Sequence, residues 1–506
     1  MAQPNILYIM TDQQRFDTIA ALGNEHIYTP NFDRLVRRGV TFTNAYSECP
    51  VCVPARYIIR SGRLPPTLGC YGNGSWHVPE GAPENVEDRC GAYLPRTMQK
   101  LGYRTFGIGK FHTSPWDEDL GYDVHLHSEE LYGSQQQRSR DAYAKWLADN
   151  YPAYDRENLM GERTEMYYQP QRSVQSAEAT VEAWAAKMTK EQLAVNDDRP
   201  FFGFVSFIGP HPPLAPPEPF HRMYNPDKMP SPQTGSIEID HMDEQIPWMN
   251  RFIWADELND FSARLAKARY YGEISYIDMC LGKILDAVEA RDDADNTLIC
   301  FFSDHGEHLG DHHAWQKESF FEASCHIPFL LSWPSKLPAD TRNDTLVGLT
   351  DLFGIATTAA GKPELRDGID VLAAASDHAD GRESLLGYYG EPGTTNFKVM
   401  VRSGDWKYIF MANGGREQLF NLKEDPQERT LRNADAPQVL TRLRRIATEG
   451  CFQPGVSDAL EGADLKKFPY TQYDRKGRIA QMDRSRGVEG FPSHPADVLE
   501  GWEFDI

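Results

Sequence analysis

Four short apolar runs, widely separated in the chain, limit its fold more than any other feature. They are residues 5–10 (NILYIM), 104–108 (RTFGI), 201–207 (FFGFVSF) and 297–302 (TLICFF). Each is continuous rather than alternating and too short for a typical buried helix, the pattern of a strand covered on both faces. Each also stops at polar residues: Thr11-Asp12-Gln13, Gly109-Lys110-Phe111-His112, Gly209-Pro210-His211 and Ser303-Asp304-His305. One mostly parallel sheet carries all these C-terminal ends to the same rim, and open α/β sheets bind ligands there. The predicted fold is therefore α/β, a central sheet between helical layers.

The connecting segments agree. Residues 31–38 read as an amphipathic helix closed by Gly39, 40–46 as a strand, 93–101 as a helix and 258–290 as a long helix with a stripe of Tyr270, Tyr271, Ile274, Ile277 and Leu281. The stretch 124–195 reads as helical, with Ala177, Val181, Trp184, Ala185 and Met188 on one face. The texture then changes: runs 397–402, 406–411 and 418–422 alternate with turns such as Ser403-Gly404-Asp405, which predicts an antiparallel meander with a helix at about 436–449 packed on it. At 506 residues the chain exceeds one core. The expected organisation is a main α/β domain over 1–378, an antiparallel subdomain over 379–450, and an extension over 451–506 that wraps its own domain or a neighbouring subunit, favouring a homo-oligomer, dimer or tetramer.

Residues 49–63 (CPVCVPARYIIRSGR) concentrate sulfur and positive charge. Pro54 suits a first helical turn, which places Cys52 at or just before a helix N-terminus, where unpaired N–H groups favour an anion. Arg56 and Arg60 then share a face, and one of them is expected to fork onto a tetrahedral oxyanion. The plainer reading is a buried structural cysteine beside a solvated basic helix. Cys49 and Cys52 also form a C-x-x-C, a redox pair or half a zinc site, but no second C-x-x-C accompanies it. Asp304 and His305 at a strand end make a plausible pair of metal ligands, with Gly306 permitting a tight turn. His308, His312 and His313 nearby leave zinc as an alternative, although the H-E-x-x-H spacing is absent. Taken singly, Asp12 is a helix cap, Lys110 a solvated cation and His112 an ordinary histidine. His211, fixed among prolines, suits a positioned acid or hydrogen-bond donor, the plainer reading being a rigid loop.

A formal charge of -22 without a long basic run argues against nucleic acid and anionic membranes as partners. An anionic substrate would need clustered cations. The first residues show no signal-peptide pattern, runs such as 327–333 are too short to span a bilayer, and the eight scattered cysteines make no disulfide framework. A soluble cytoplasmic protein is expected.

Taken together, Cys-x-Pro-x-Arg at 52–56, Thr-Asp-Gln near the start, Gly-Lys-Phe-His at 109–112, Gly-Pro-His-x-Pro at 209–213, Ser-Asp-His-Gly-Glu with Lys317 downstream, and the Leu-Phe-Asn-Leu of the meander resemble the type I sulfatases and the closely similar phosphonate monoester hydrolases of the alkaline phosphatase superfamily. The resemblance runs from residue 5 to about 430. It implies an alkaline-phosphatase-like three-layer sandwich. It implies that a separate formylglycine-generating enzyme converts Cys52 to formylglycine, whose hydrate attacks a small-molecule sulfate ester to form a covalent sulfo-enzyme intermediate. Asp12, Gln13, Asp304, His305 and residue 52 would hold one divalent metal, Ca²⁺ by the oxygen-rich set with Mn²⁺ as the alternative. Arg56 would orient residue 52 and offset its charge, Lys110 and Lys317 would stabilise sulfuryl oxygens, His211 and Lys317 would protonate or stabilise the leaving alcohol, and His112 would act as the base that expels sulfate. Ala55, Arg60 and Ser61 depart from the usual motif.

The leading expectation is an arylsulfatase-like sulfate ester hydrolase. The alternatives are a phosphonate monoester or phosphodiester hydrolase with the same nucleophile, and a non-catalytic anion-binding protein. Trp76, Trp116 and Trp248 are candidate ring-recognising residues.

Overall fold

The computed structural model describes residues 3–130, 135–154, 168–235, 242–377, 381–475 and 477. Its main sheet contains β1 (Asn5–Thr11), β2 (Val40–Tyr46), β3 (Arg104–Gly109), β4 (Val124–His127), β5 (Phe201–Ser206), β6 (Thr297–Ser303), β7 (Phe329–Ser332) and β8 (Thr341–Gly348). Their order is β4-β3-β5-β1-β6-β7-β2-β8, with β7 antiparallel to both neighbours and the other pairings parallel.

The four predicted core strands are adjacent, and their apolar runs are continuous because alternate side chains enter two separate cores. Leu7 and Ile9 pack with Trp184, Tyr270 and Ile274 on one side; Ile6, Tyr8 and Met10 pack with Tyr57, Ile58 and Phe353 on the other. The helices Pro30–Arg38, Val181–Leu193 and Asp260–Glu289 cover the first face. Cys52–Ser61, Leu94–Lys100 and Asp351–Ala359 cover the second, giving three layers.

Register places the functional ends at one height. Met10 lies opposite both Ser206 and Phe302, Thr11 opposite Ser303, and Gly109 opposite Ser206. Backbone bonds continue past the strands: Lys110 N donates to Ser206 O, Phe207 N to Met10 O, Asp304 N to Thr11 O and Asp12 N to Gly209 O.

A second sheet holds β9 (Leu385–Tyr389), β10 (Lys398–Ser403), β11 (Trp406–Met411) and β12 (Arg416–Asn421), antiparallel in the order β12-β11-β10-β9. Helix Pro437–Gly450 packs on one face through Leu443 and Ala447. The other face packs Met400, Ile409 and Phe420 against Tyr46, Phe320 and Phe321 of the main domain, where Lys407 is buried between Glu322 and Glu428.

Three sequence expectations need correction. The segment 124–195 is not uniformly helical: it opens with β4, and its described helices include Ala142–Asn150 and Val181–Leu193. Residues 131–134 and 155–167 of it lie outside the described residues. Ala177 precedes the second of these helices, which begins after Thr180, whose hydroxyl caps Ala183 N. The run 327–333 supplies β7, and β8, polar over its first half, escaped notice. The meander gains β9 at its edge. Of the extension, Cys451 and Val456 join the core beneath the second sheet and Asn413 Nδ2 donates to Thr471 O, so this part packs on its own chain. Residues 476 and 478–506 of the extension lie outside the described residues. No helix among the described residues is long and apolar enough to cross a membrane.

Leu7 is completely buried at the centre of the sheet. Leu7→Ala is expected to lower unfolding free energy by about 3 kcal/mol, read as a lower urea midpoint.

Candidate functional site

Cys52 is the first residue of its helix, two positions before Pro54, and Gly62 closes the helix in a left-handed conformation. Val53 N donates to Asn73 Oδ1, so a side chain from a following loop caps the N-terminal turn next to the cysteine. The thiol is buried, with Sγ 3.3 Å from His305 Nε2 and 3.8 Å from Asp12 Oδ1. Burial, then the Asp12 charge, pushes it up to about 12. An unmodified Cys52 is therefore protonated at neutral pH and a poor nucleophile.

Asp12 from the end of β1, Cys52, and Asp304 and His305 from the end of β6 offer four donor atoms within 4.8 Å of one another, all buried. His305 Nδ1 lies 3.0 Å from Gly306 O, an acceptor, so Nδ1 carries the proton and Nε2 presents its lone pair to the cluster. Gly306 serves differently from expected: its φ is not positive, and it is glycine because a Cβ would lie 2.1 Å from Ala323 O. Gln13 follows with φ 69°, a strained conformation of the kind found at functional sites. Its Oε1 accepts from Lys317 Nζ at 2.6 Å, while its Nε2 donates to Glu307, which also accepts from Tyr168.

The basic groups surround this cluster. Arg56 is spent on it: Nη2 donates to Asp12 Oδ2 at 2.8 Å, Nε to Asp304 Oδ2 at 3.1 Å, and Nη1 to Lys110 O and Ser206 Oγ. Arg60 shares the helix face but bonds Phe111 O and lies 3.8 Å from Glu118. The expected fork onto an oxyanion is thus not available to Arg56, whose three nitrogens are all bonded. Lys110 Nζ lies 2.7 Å from Asp12 Oδ2 and 2.8 Å from Glu130 Oε2. Burial alone raises the Asp12 carboxyl, yet Lys110 and Arg56 draw it well below the usual range, whereas burial and Asp12 itself push Asp304 up.

The model of the sulfatase family matches residues 4–362. The chain belongs to the sulfatase family. It is 28% identical over 463 residues to an arylsulfatase of Clostridium perfringens, covering 88% of this chain and 93% of that one. It is 29% identical over 458 residues to a choline-sulfatase of Rhizobium meliloti, covering 85% and 82%. The crystal structure of a phosphonate monoester hydrolase of Agrobacterium radiobacter shares the fold, with a TM-score of 0.71, 24% identity and coverage of 87% and 94%.

Membership implies a metal and a formylglycine in this sulfatase. The donor set fits a divalent cation: two buried carboxylates and an imidazole whose Nε2 lone pair faces them, whereas the amide oxygen of Gln13 is taken up by Lys317. His308, bonded to Ser319, and His312, stacked 4.0 Å from Phe321, stay outside the cluster, as does His313. All eight cysteines are free thiols in this structure, Cys49 and Cys52 included.

The other sequence-predicted residues of the sulfatase gather at the same rim. His211 Nδ1 lies 3.1 Å from Glu130 Oε2. Its loop is anchored by two buried carboxylates, Glu182 accepting from Gly209 N and Glu273 from Ala215 N. His112 has φ 50°, and its backbone N–H is held by Glu129, itself bonded to His127. Its Nδ1 has no hydrogen-bond partner among the described residues. Glu129, Glu130, Asn73 and Tyr168 were not singled out in the sequence, and Glu307 stood in the Ser-Asp-His-Gly-Glu motif without a role of its own. Trp76 packs edge-on against Tyr57, Trp116 stacks on His127 and Trp248 on Phe252, so each ring already has an aromatic partner.

Burial, then Lys110, pushes His112 down to about 4. Between that value and the ordinary one of about 6.5 the unfolded chain binds the extra proton, so His112 makes the fold lose stability as pH falls through this window. His112→Asn is expected to flatten that decline, measured as unfolding midpoint against pH.

Proposed function

We propose that this sulfatase hydrolyses sulfate monoesters of the arylsulfatase type, with position 52 acting after oxidation of Cys52 to formylglycine. The observation that supports this most is the placing of Cys52, a thiol unsuited to thiolate chemistry, 3.3 Å from a metal-competent imidazole nitrogen and inside a buried carboxylate pair. Asp12, Gln13, Asp304, His305 and the residue-52 side chain would hold the cation, Ca²⁺ by its oxygen-rich donors or Mn²⁺ given the imidazole. When bound, it supplies Lewis-acid charge for the sulfuryl oxygens and lowers the pKa of a coordinated hydroxyl. The modified side chain, once hydrated, would supply one hydroxyl as the nucleophile and a second whose proton is lost as sulfate is released.

The chain's own residues do the rest. Arg56 compensates the two carboxylates and fixes their orientation. Lys110 and Lys317 stand beside Asp12 and Gln13 and bring positive charge to the sulfate group. His112, held neutral, can take up a proton as sulfate departs. His211 delivers one to the leaving alcohol. A separate formylglycine-generating enzyme is the implied maturation partner. The second reading, a phosphonate monoester or phosphodiester hydrolase using the same residues, draws on the shared fold.

Peptide mass spectrometry across residues 50–56 of active protein is expected to show an aldehyde, or its hydrate, in place of the Cys52 thiol. Cys52→Ala is expected to lower kcat/KM for p-nitrophenyl sulfate by about 10⁴-fold or more. Negligible turnover of p-nitrophenyl sulfate beside fast turnover of phenyl phosphonate esters would favour the second reading over the first.

A further inference from the structure

Glu130 follows β4 by a few residues, is buried, and belongs to none of the motifs that mark the family in this sequence. Its Oε2 lies 2.8 Å from Lys110 Nζ and 3.1 Å from His211 Nδ1. The same Nδ1 lies 2.7 Å from the carbonyl oxygen of Pro212. A carboxylate and a carbonyl are both acceptors, so the nitrogen between them must carry the proton. Nε2 is then the nitrogen with which the ring exchanges a proton in the reaction. An imidazole given a fixed tautomer by a carboxylate behind it is a general device for acid and base catalysis.

We infer that Glu130 is a positioning residue for the leaving-group step: it holds His211 with the proton on Nδ1 and stabilises the imidazolium from which Nε2 protonates the departing alcohol. The inference rests on the sulfate hydrolysis proposed above, because His211 matters only where an alcohol leaves. In the step, the residue-52 oxygen would form its bond to sulfur as the bond between sulfur and the leaving oxygen breaks, and the electron pair of the broken bond stays on the leaving oxygen. The proton on Nε2 passes to it, and a neutral ring remains with its other proton on Nδ1, shared by Glu130 and Pro212 O. Burial, and after it Lys317 and Lys110, work against the imidazolium and hold His211 well below the ordinary histidine value, and Glu130 is the foremost group opposing them. Lys110 and Asp12 complete a line of contacts from the metal-competent cluster to His211, with Glu130 as its last link.

The test is a leaving-group series. Aryl sulfates from dinitrophenyl to unsubstituted phenyl sulfate are assayed with wild type, Glu130→Gln and His211→Ala. An activated phenol leaves without a proton, whereas a basic one needs it. Glu130→Gln is expected to lose about 100-fold in kcat/KM on phenyl sulfate and less than about 5-fold on the dinitrophenyl ester, in the same sense as His211→Ala. An equal loss across the series would overturn the assignment, since that is what a general loosening of the site, or loss of Lys110 charge on the sulfuryl oxygens, produces. Neutron diffraction from wild-type crystals supplies a readout that needs no variant to fold. Deuterium on His211 Nδ1 supports the inference, and deuterium on Nε2 alone overturns it. A wild type inert towards every sulfate ester but active on aryl phosphonates would remove the sulfatase reading and leave Glu130 testable with the corresponding phosphonate series.

Discussion

Arg56 gripping Asp12 and Asp304 at once is the contact on which the site depends. Both carboxylates are fully shielded from water, and taking an ion out of water carries an effective penalty of several kcal/mol each. One planar guanidinium meets both, Nη2 on one and Nε on the other, and its remaining nitrogen is tied to Lys110 O and Ser206 Oγ. It therefore locks together the ends of β1, β3, β5 and β6 as well as balancing charge. An arginine suits this where a lysine would not, because the fork reaches two acceptors in fixed directions.

The balance it leaves is informative. Burial and Asp12 push Asp304 up and burial pushes Glu307 up, while, against burial, Lys110 and Arg56 keep Asp12 ionised. A divalent cation among Asp12, Asp304 and His305 would favour the charged form of both carboxylates and add positive charge for an anion, within a protein whose total charge is strongly negative.

The fold was legible where residues repeat a physical pattern. The continuous runs of β1, β3, β5 and β6 announce two-sided burial, and their shared polar endings announce a common rim, because parallel register carries Met10, Ser206 and Phe302 to one level. β8 and β4 were not legible: the first is polar over half its length at the sheet edge, and the second is four half-buried residues containing two histidines. The candidate site was legible through its motif residues and opaque in its supports. Nothing in the sequence says that Glu130 reaches Lys110 and His211, that Asn73 caps the Cys52 helix, or that Glu307 and Tyr168 orient Gln13. Each of these is a contact between segments whose spacing along the chain carries no periodic signal. Arg56 and Arg60 show the limit from the other direction, since helical spacing correctly put them on one face and said nothing about which acceptors they meet.

The account stands on a single cation lying between the ends of β1 and β6 against the side chain of residue 52. Anomalous diffraction from crystals grown with Mn²⁺ tests this directly. The result in keeping with the account is one strong peak in contact with Asp12, Gln13, Asp304, His305 Nε2 and residue 52. A peak held by other residues, or a site that stays empty in enzyme retaining full activity, would contradict it.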